Sequence, residues 1–448
     1  MRKKKKTVKF DLLNPNAAGI DVGSKNNWAC IASDIESPRE FGVFTEDHHK
    51  LASWLQENGV ETVAMESTGI YWKALHVILE SYGLEVLVAN AADVKNIRGK
   101  KNDAHDSQWI CQLHSAGLLK GSFQPDSFTS KLRVYTRHRK SLILDASRFI
   151  ARMQKEMIQM NIQLSVVLTD ITGKSGRAII EAIISGERDG KELAKLADGR
   201  VKASKEQISK ALTGEWSEDH LFALDQCWRM YESYQAQIAE CDKKINALLE
   251  KRLEETGQND LAYTPTKKKL PSKNSPKVDL PKYAFQLSDG IDLTEVNGIG
   301  HDTLVTLMAE VGFDLAKKFP SSKHFTSWMS LSPNKKITGG KVLSSRTKKN
   351  KNRLAQAFKH AANAVGRQRD NPLSDFFARL AYRKGRKAAI TATARKLAVI
   401  VYNMLTRGEA FNPLIVEEYR EHQRKRLIKR MQRNISKFGV DKADLQFS

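Results

Sequence analysis

The chain has 448 residues, with 74 Lys and Arg against 51 Asp and Glu, a formal net charge of +23. That length suffices for two or three domains with real cores, and that charge points to a polyanionic partner. An apolar run of about eighteen residues is absent, so no membrane-spanning helix is expected. Four cysteines without a Cys-x-x-Cys pair (Cys30, Cys111, Cys227, Cys241) argue against zinc and a disulfide framework and fit a reducing, cytoplasmic setting.

The N-terminus carries Arg2, Lys3, Lys4, Lys5, Lys6 and Lys9 with no apolar core behind them. It reads as a basic tail over residues 1–16, either solvated or an arm for nucleic acid, and not as a signal peptide. From residue 17 to 117 the pattern predicts three strands, then helix, strand, helix, strand, helix. The strands are expected at 17–22, 28–32, 41–45, 62–66 and 85–89. Helices are expected around Leu51, Trp54 and Leu55, over 71–82, and from Asp103 onward. Three antiparallel strands followed by alternating helices and strands is the order of a ribonuclease-H-like domain, placed at 17–125.

Four acids fall at notable places in that order. Asp21 lies on the first strand, in Gly19-Ile20-Asp21-Val22-Gly23, just before the chain turns on a glycine. Glu66 ends the strand Thr62-Val63-Ala64-Met65. Asp103 and Asp106 are three apart at the start of a helix and so share a face. Taken singly, Asp21 could cap a turn, Glu66 could precede one, and Asp103 and Asp106 could suit a helix N-terminus. Taken together, they would repel one another unless a cation lay between them. Oxygen donors of this kind suit Mg²⁺.

Residues 128–164 predict one long helix, with Leu132, Tyr135, Leu142, Ala146, Phe149, Met153 and Met157 as an apolar stripe. Arg133, Arg137, Arg139, Lys140, Arg148 and Arg152 populate the remaining positions, and the basic helix near Arg139 is open to RNA or DNA. A second long helix carries Tyr231, Tyr234, Ile238, Cys241, Ile245 and Leu248 at alternating spacings of three and four, a coiled-coil seam. The pair, at 126–256, is either an intramolecular hairpin or a dimerisation arm. Its insert, 165–225, reads as helical and charged. Gly173-Lys174-Ser175 there has Leu168 where a phosphate loop needs glycine, so an NTPase is rejected. A basic linker at 257–286, rich in Lys, Pro, Ser and Asn, is not expected to bury a core.

The last domain, 287–410, is mainly helical. Gly298-Ile299-Gly300 between helices suggests a helix-hairpin-helix, whose exposed amides can hold a phosphate. A basic loop follows: Ile337-Thr338-Gly339-Gly340-Lys341, then Arg346, Lys348, Lys349 and Lys351. Glycines let a backbone approach phosphate, and cations steady its charge. Closing helices are expected at 354–365 and 390–405, with Arg383-Lys384-Gly385-Arg386-Lys387 between them, and a basic tail at 411–448.

With these motifs in order, the sequence resembles the DEDD transposases of bacterial insertion sequences, the bridge-RNA-guided recombinases. The resemblance rests on Gly19-Ile20-Asp21-Val22, Met65-Glu66-Ser67-Thr68-Gly69-Ile70-Tyr71 and Lys101-Asn102-Asp103 with Asp106 at the front. At the back it rests on Asn297-Gly298-Ile299-Gly300, Ala309-Glu310-Val311-Gly312 and Ile337-Thr338-Gly339-Gly340-Lys341. It implies a RuvC-like front domain binding Mg²⁺ through Asp21, Glu66, Asp103 and Asp106. It implies a back domain whose serine attacks DNA and becomes covalently joined to it. A structured noncoding guide RNA would pair with double-stranded donor and target DNA, and the protein would act as a homodimer or homotetramer. Lys101, Gly298, Gly300, Gly339, Gly340, Lys341, Arg346, Lys348, Lys349 and Lys351 are the candidate nucleic-acid contacts. The family's serine is Thr338 here. Threonine keeps the hydroxyl while its methyl restricts χ1; Ser344 and Ser345 are the alternatives. Two other readings are a RuvC-like metal nuclease or junction resolvase, which would form no covalent adduct, and a nucleic-acid-binding protein without chemistry.

Overall fold

The computed structural model describes residues 12–67, 69–89, 103–258, 261–265, 271–349, 351–369 and 371–438. They fall into two compact units, Met1–Gln124 and Pro125–Ser448. The fold class is mixed: an α/β first unit and a mostly helical second one. Among the described residues, no helix is long and apolar enough to cross a membrane.

The first unit is built on a five-stranded sheet in the order β3-β2-β1-β4-β5. β1 (Ala17–Val22), β2 (Asn27–Ile31) and β3 (Asp34–Phe41) are antiparallel, whereas β4 (Thr62–Glu66) and β5 (Glu85–Ala89) run parallel to β1. This is consistent with a ribonuclease-H-like domain. α1 (Thr45–Glu57) and α2 (Trp72–Ser81) cover one face, where Leu51, Leu55, Leu75 and Leu79 pack on Ile20, Val63 and Met65. α3 (Asp103–Ser115) belongs to the other face, packing Ile110 with Ala64 and Ala89. β3 lies at 34–41 rather than at 41–45. It is an edge strand, exposed along most of its length and carrying Pro38, so it lacks the apolar alternation that marks a half-buried strand.

The second unit is organised by two long helices, α4 (Ser127–Gln159) and α9 (Glu218–Thr256). Asp126 caps α4 by accepting the Thr129 amide at 2.8 Å, and Gly257, at φ 67°, ends α9. Leu132 packs with Ile245 and Leu249, and Leu142 with Ile238 and Cys241; the rings of Phe149 and Tyr234 lie 5.6 Å apart. Contacts that move forward along α4 move backward along α9, so the two helices form an antiparallel pair within one chain. The insert between them holds α5 (Leu164–Val167), α6 (Lys174–Ile184), α7 (Gly190–Lys195) and α8 (Lys205–Ala211). It is less purely charged than its composition suggests. Ile179, Ile180, Ile183, Leu193, Ile208 and Leu212 build a core with Met153, Met157 and Trp228.

The expected linker also takes part in packing. α10 (Leu280–Leu287) begins inside it, and Leu280 is fully buried against Leu132, Ile245 and Met308. Pro281, in the first turn of that helix, is at a position where its missing N–H costs nothing. After a one-turn 3-10 segment (Leu293–Glu295) come α11 (His301–Glu310), α12 (Leu315–Lys318) and α13 (Ser322–Trp328). A two-stranded hairpin of β6 (Lys336–Thr338) and β7 (Lys341–Ser344) stands where the sequence pattern predicts a loop. α14 (Arg353–Val365), α15 (Pro372–Lys384), α16 (Arg386–Arg407) and α17 (Pro413–Phe438) complete the unit. α15 has no counterpart among the elements that the sequence pattern predicts.

Candidate active site and nucleic-acid interface

The four acids can be placed from the strand register and the path of α3. Ile20 on β1 pairs with Met65 on β4 in a parallel ladder, and both belong to the core beneath α1 and α2. The next residues, Asp21 and Glu66, therefore point to the opposite face, the one carrying α3. Gly19 shows how closely that helix lies: an added Cβ would stand 2.2 Å from the Cys111 amide nitrogen and 2.5 Å from the Ser107 carbonyl oxygen. α3 runs against β1 and β4. Ser107 and Cys111 lie over Gly19, while His114 Nε2 is 2.9 Å from the Thr62 hydroxyl at the start of β4. The beginning of α3 thus overlies the ends of both strands.

Asp103 lies one turn before Ser107, on the row facing β1. Asp106 lies one turn before Ile110, on the row facing β4. Glu66 is buried, Asp21 and Asp106 are half-buried, and Asp103 is exposed. The register brings Asp21 and Glu66 to the same end and face of the sheet, and the start of α3, which carries Asp103 and Asp106, lies over that end. The fold does not close the four into a cage: among the described residues, no three His, Cys, Asp or Glu side chains are grouped as metal ligands. The donors are all carboxylates, which is the chemistry a hard divalent cation takes. Lys101 lies outside the described residues, as do Thr68 and Asn102.

In the second unit, Thr338 is the last residue of β6, paired with Lys341 across Gly339 and Gly340. The two glycines have φ 53° and 74°. Positive φ at both central residues is the two-residue type I′ turn, whose twist matches the strands it joins. Thr338, Gly339, Gly340 and Lys341 are all exposed. Ile337 pairs with Val342 on the other face of the ribbon, each 57% exposed. Ser344 sits at the base of the hairpin, half-buried, and its hydroxyl accepts the Arg346 amide at 3.3 Å. Ser345 is exposed just beyond β7.

Two family models match the chain. A DEDD transposase model covers residues 18–162, and a model described as the IS116/IS110/IS902 transposase family covers residues 292–378. The chain carries two IS110-family transposase domains. It is a DNA transposase/recombinase. The first model spans all four acids and the second spans the hairpin with Thr338. A comparison with curated proteins finds no match.

The cations of the transposase divide into two groups. Around the hairpin, Lys341, Arg346, Lys348, Lys349 and Lys351 are exposed and have no acidic partner among the described residues. Arg133, Arg137 and Arg139 on α4 behave differently. Arg139 is 6% exposed and donates Nε to Asp242 at 2.5 Å and Nη1 to the Asn274 carbonyl at 2.7 Å. Arg137 forks onto Glu310 at 3.0 and 2.7 Å, and Arg133 donates to the Ala309 and Glu310 carbonyls. These three arginines, open to nucleic acid on sequence grounds, are committed to the fold. A single Glu310 in the apolar run of α11 was the available signal that a buried cation partner existed.

The two candidate phosphate glycines also separate. Gly298, at φ 89°, lies against α14: a Cβ there would stand 2.6 Å from Val365 Cγ2 and 2.8 Å from the Ala361 carbonyl oxygen. Both that positive φ and the packing call for glycine there. Gly300 is the N-cap of α11 and faces open space. The segment before this turn is a single 3-10 turn, with α10 ending at Leu287, so the expected arrangement of two α-helices around Gly-Ile-Gly is not what the chain forms.

Proposed function

We propose that the transposase is an RNA-guided recombinase of a bacterial insertion sequence, cutting and rejoining DNA through a covalent protein–DNA intermediate. What carries this reading is Thr338: an exposed hydroxyl held at a two-residue turn beside Lys341, with exposed cations around it that have no acidic partner among the described residues. Ser344 is less suited, since its oxygen is engaged at the hairpin base.

Thr338 Oγ would form a bond to the scissile phosphorus as the bond from phosphorus to one sugar oxygen breaks. The proton lost by Oγ is balanced by the proton that the freed sugar hydroxyl gains. A hydroxyl of the incoming strand then attacks the phosphothreonine and releases Oγ. Bond energy is conserved throughout, so no nucleotide hydrolysis is needed. Lys341, Arg346, Lys348, Lys349 and Lys351 would neutralise charge that develops on the phosphate. Asp21, Glu66, Asp103 and Asp106 would hold a divalent cation, Mg²⁺ by donor type, which when bound supplies charge stabilisation to phosphoryl transfer.

A net charge of +23 suits simultaneous binding of duplex DNA and a structured guide RNA. The family resemblance supports a homodimer or homotetramer and a place of action in the bacterial cytoplasm, at the nucleoid. The test is a denaturing gel with donor and target DNA, Mg²⁺ and the cognate RNA. A protein–DNA band that survives denaturation and vanishes in Thr338→Ala is the expected result. Scission without an adduct would favour a plain nuclease or resolvase instead. An adduct that persists in Thr338→Ala but not in Ser344→Ala would move the nucleophile.

A further inference from the structure

Among the described residues, three large aromatic side chains stand more than 60% exposed: Phe44 at 76%, Phe222 at 66% and Tyr382 at 95%. A single exposed aromatic is ordinary and by itself means little. Its electrostatic neighbourhood decides what it can meet. Phe44 precedes Glu46 and Asp47, and Phe222 follows Glu218 and Asp219. Tyr382 lies instead in Tyr382-Arg383-Lys384-Gly385-Arg386-Lys387, at the junction of α15 and α16.

That junction is well anchored. Arg386 donates Nη2 to Asn363 Oδ1 at 2.7 Å and lies over the buried Phe377 ring, its guanidinium carbon 5.7 Å from the ring centroid. Leu373 and Phe377 bury the other side of α15. Tyr382 is therefore presented on a fixed support, while Arg383, Lys384 and Lys387 are exposed beside it. The position lies just beyond the residues that the second family model matches.

We propose that this junction is a binding site for single-stranded nucleic acid, with an unpaired base stacked on Tyr382 and the adjoining phosphates held by Arg383, Lys384 and Lys387. A ring face accepts any base, and cations at the strand's flank track the backbone. Paired bases have no free face to offer, so duplex would not use the ring. The proposal is independent of metal, of Thr338 and of catalysis.

The test is equilibrium binding of the full-length protein to short labelled single strands of DNA and of RNA, and to a matched duplex. Stacking of this kind predicts that Tyr382→Ala weakens single-strand binding about tenfold, while Tyr382→Phe retains it. Because no charge is removed, the dependence of affinity on salt should keep its slope in Tyr382→Ala and lose about 0.7 unit in Lys384→Ala. Loss confined to DNA, or confined to RNA, assigns the strand; loss with both assigns a shared site. Unchanged single-strand binding in Tyr382→Ala overturns the proposal, as does equal weakening with the duplex or in Tyr382→Phe. A change of oligomeric state in Tyr382→Ala would also overturn it, giving the ring to a subunit contact.

Discussion

Gly19 and Cys111 are in backbone contact: a side chain on Gly19 would place its Cβ 2.2 Å from the Cys111 nitrogen. Through this contact α3 lies directly on β1, and the helix start carrying Asp103 and Asp106 is fixed over the strand ends. Gly19→Ala must push the helix away, at a destabilisation of about 1–3 kcal/mol by overpacking. DNA cleavage should fall further than stability, because the acids at both ends of the contact move apart. Denaturant unfolding and cleavage rates on the same sample check this. Equal cleavage in the folded variant would show that the spacing set by this contact is immaterial.

Asp21→Asn and Glu66→Gln remove charge without changing shape. Strand cleavage should fall by about 10²–10³ in either variant, the size typical of losing one electrostatic stabiliser, with circular dichroism unchanged. Chelation of divalent ions should abolish cleavage in the unaltered enzyme and Mg²⁺ should restore it. Full activity after chelation would remove the role given to the four carboxylates.

Thr338→Ser keeps the hydroxyl and releases the χ1 restriction of a β-branched residue. Adduct formation should be kept or accelerated, whereas Thr338→Ala should leave none. Gly340→Val should also suppress the adduct, because a β-branched residue at φ 74° is strained and the type I′ turn cannot be kept. Quantifying the adduct over time separates these outcomes.

Arg139 and Asp242 form a pair with each side chain about 7% exposed. Arg139→Ala leaves a buried carboxylate unpaired and should destabilise the second unit by about 3–5 kcal/mol. Replacing both with apolar residues of similar volume should recover most of that. RNA and DNA affinity, measured where the variant remains folded, should not change, in contrast to Lys348→Ala or Lys349→Ala, each of which should lower the salt slope by about one.

Burial pushes the His114 imidazole below its ordinary value of 6.5, and burial does the same to His48. Above that value both states of the protein hold the ring neutral and no stability depends on it. Below it the unfolded chain binds a proton that the folded one resists. Stability of the first unit should therefore fall as pH drops under about 6.5, by at most about 1.4 kcal/mol per pH unit for each histidine. Hydrogen exchange in β1 and β4 across that range measures it, and His114→Gln should flatten part of the slope.

The three parallel strands are legible in the residues themselves. β1, β4 and β5 stand where their apolar runs predict, since buried strands must be apolar and short runs bounded by turns leave little choice. The four acids are legible as candidates for the same reason: each lies at or near the end of an element whose limits the pattern marks. β3 is misplaced by that pattern because an edge strand exposed to water needs no apolar face, and α15 escapes it altogether. The Thr338 hairpin could have been read from Gly339-Gly340 between Ile337 and Val342, a pairing of turn and alternation.

Composition could say that the chain is basic, but not which cations are free. Coulombic partners of Arg133, Arg137 and Arg139 lie 100 residues or more away in sequence, at Glu310 and Asp242, and no local pattern reveals a contact made across that distance. The need for glycine at 19 and 298 was equally hidden. In both cases another helix presses on the backbone, and at Gly298 the positive φ adds to it, so residue identity along the chain set which chemistry was available, and only tertiary packing decided which groups were left to use it.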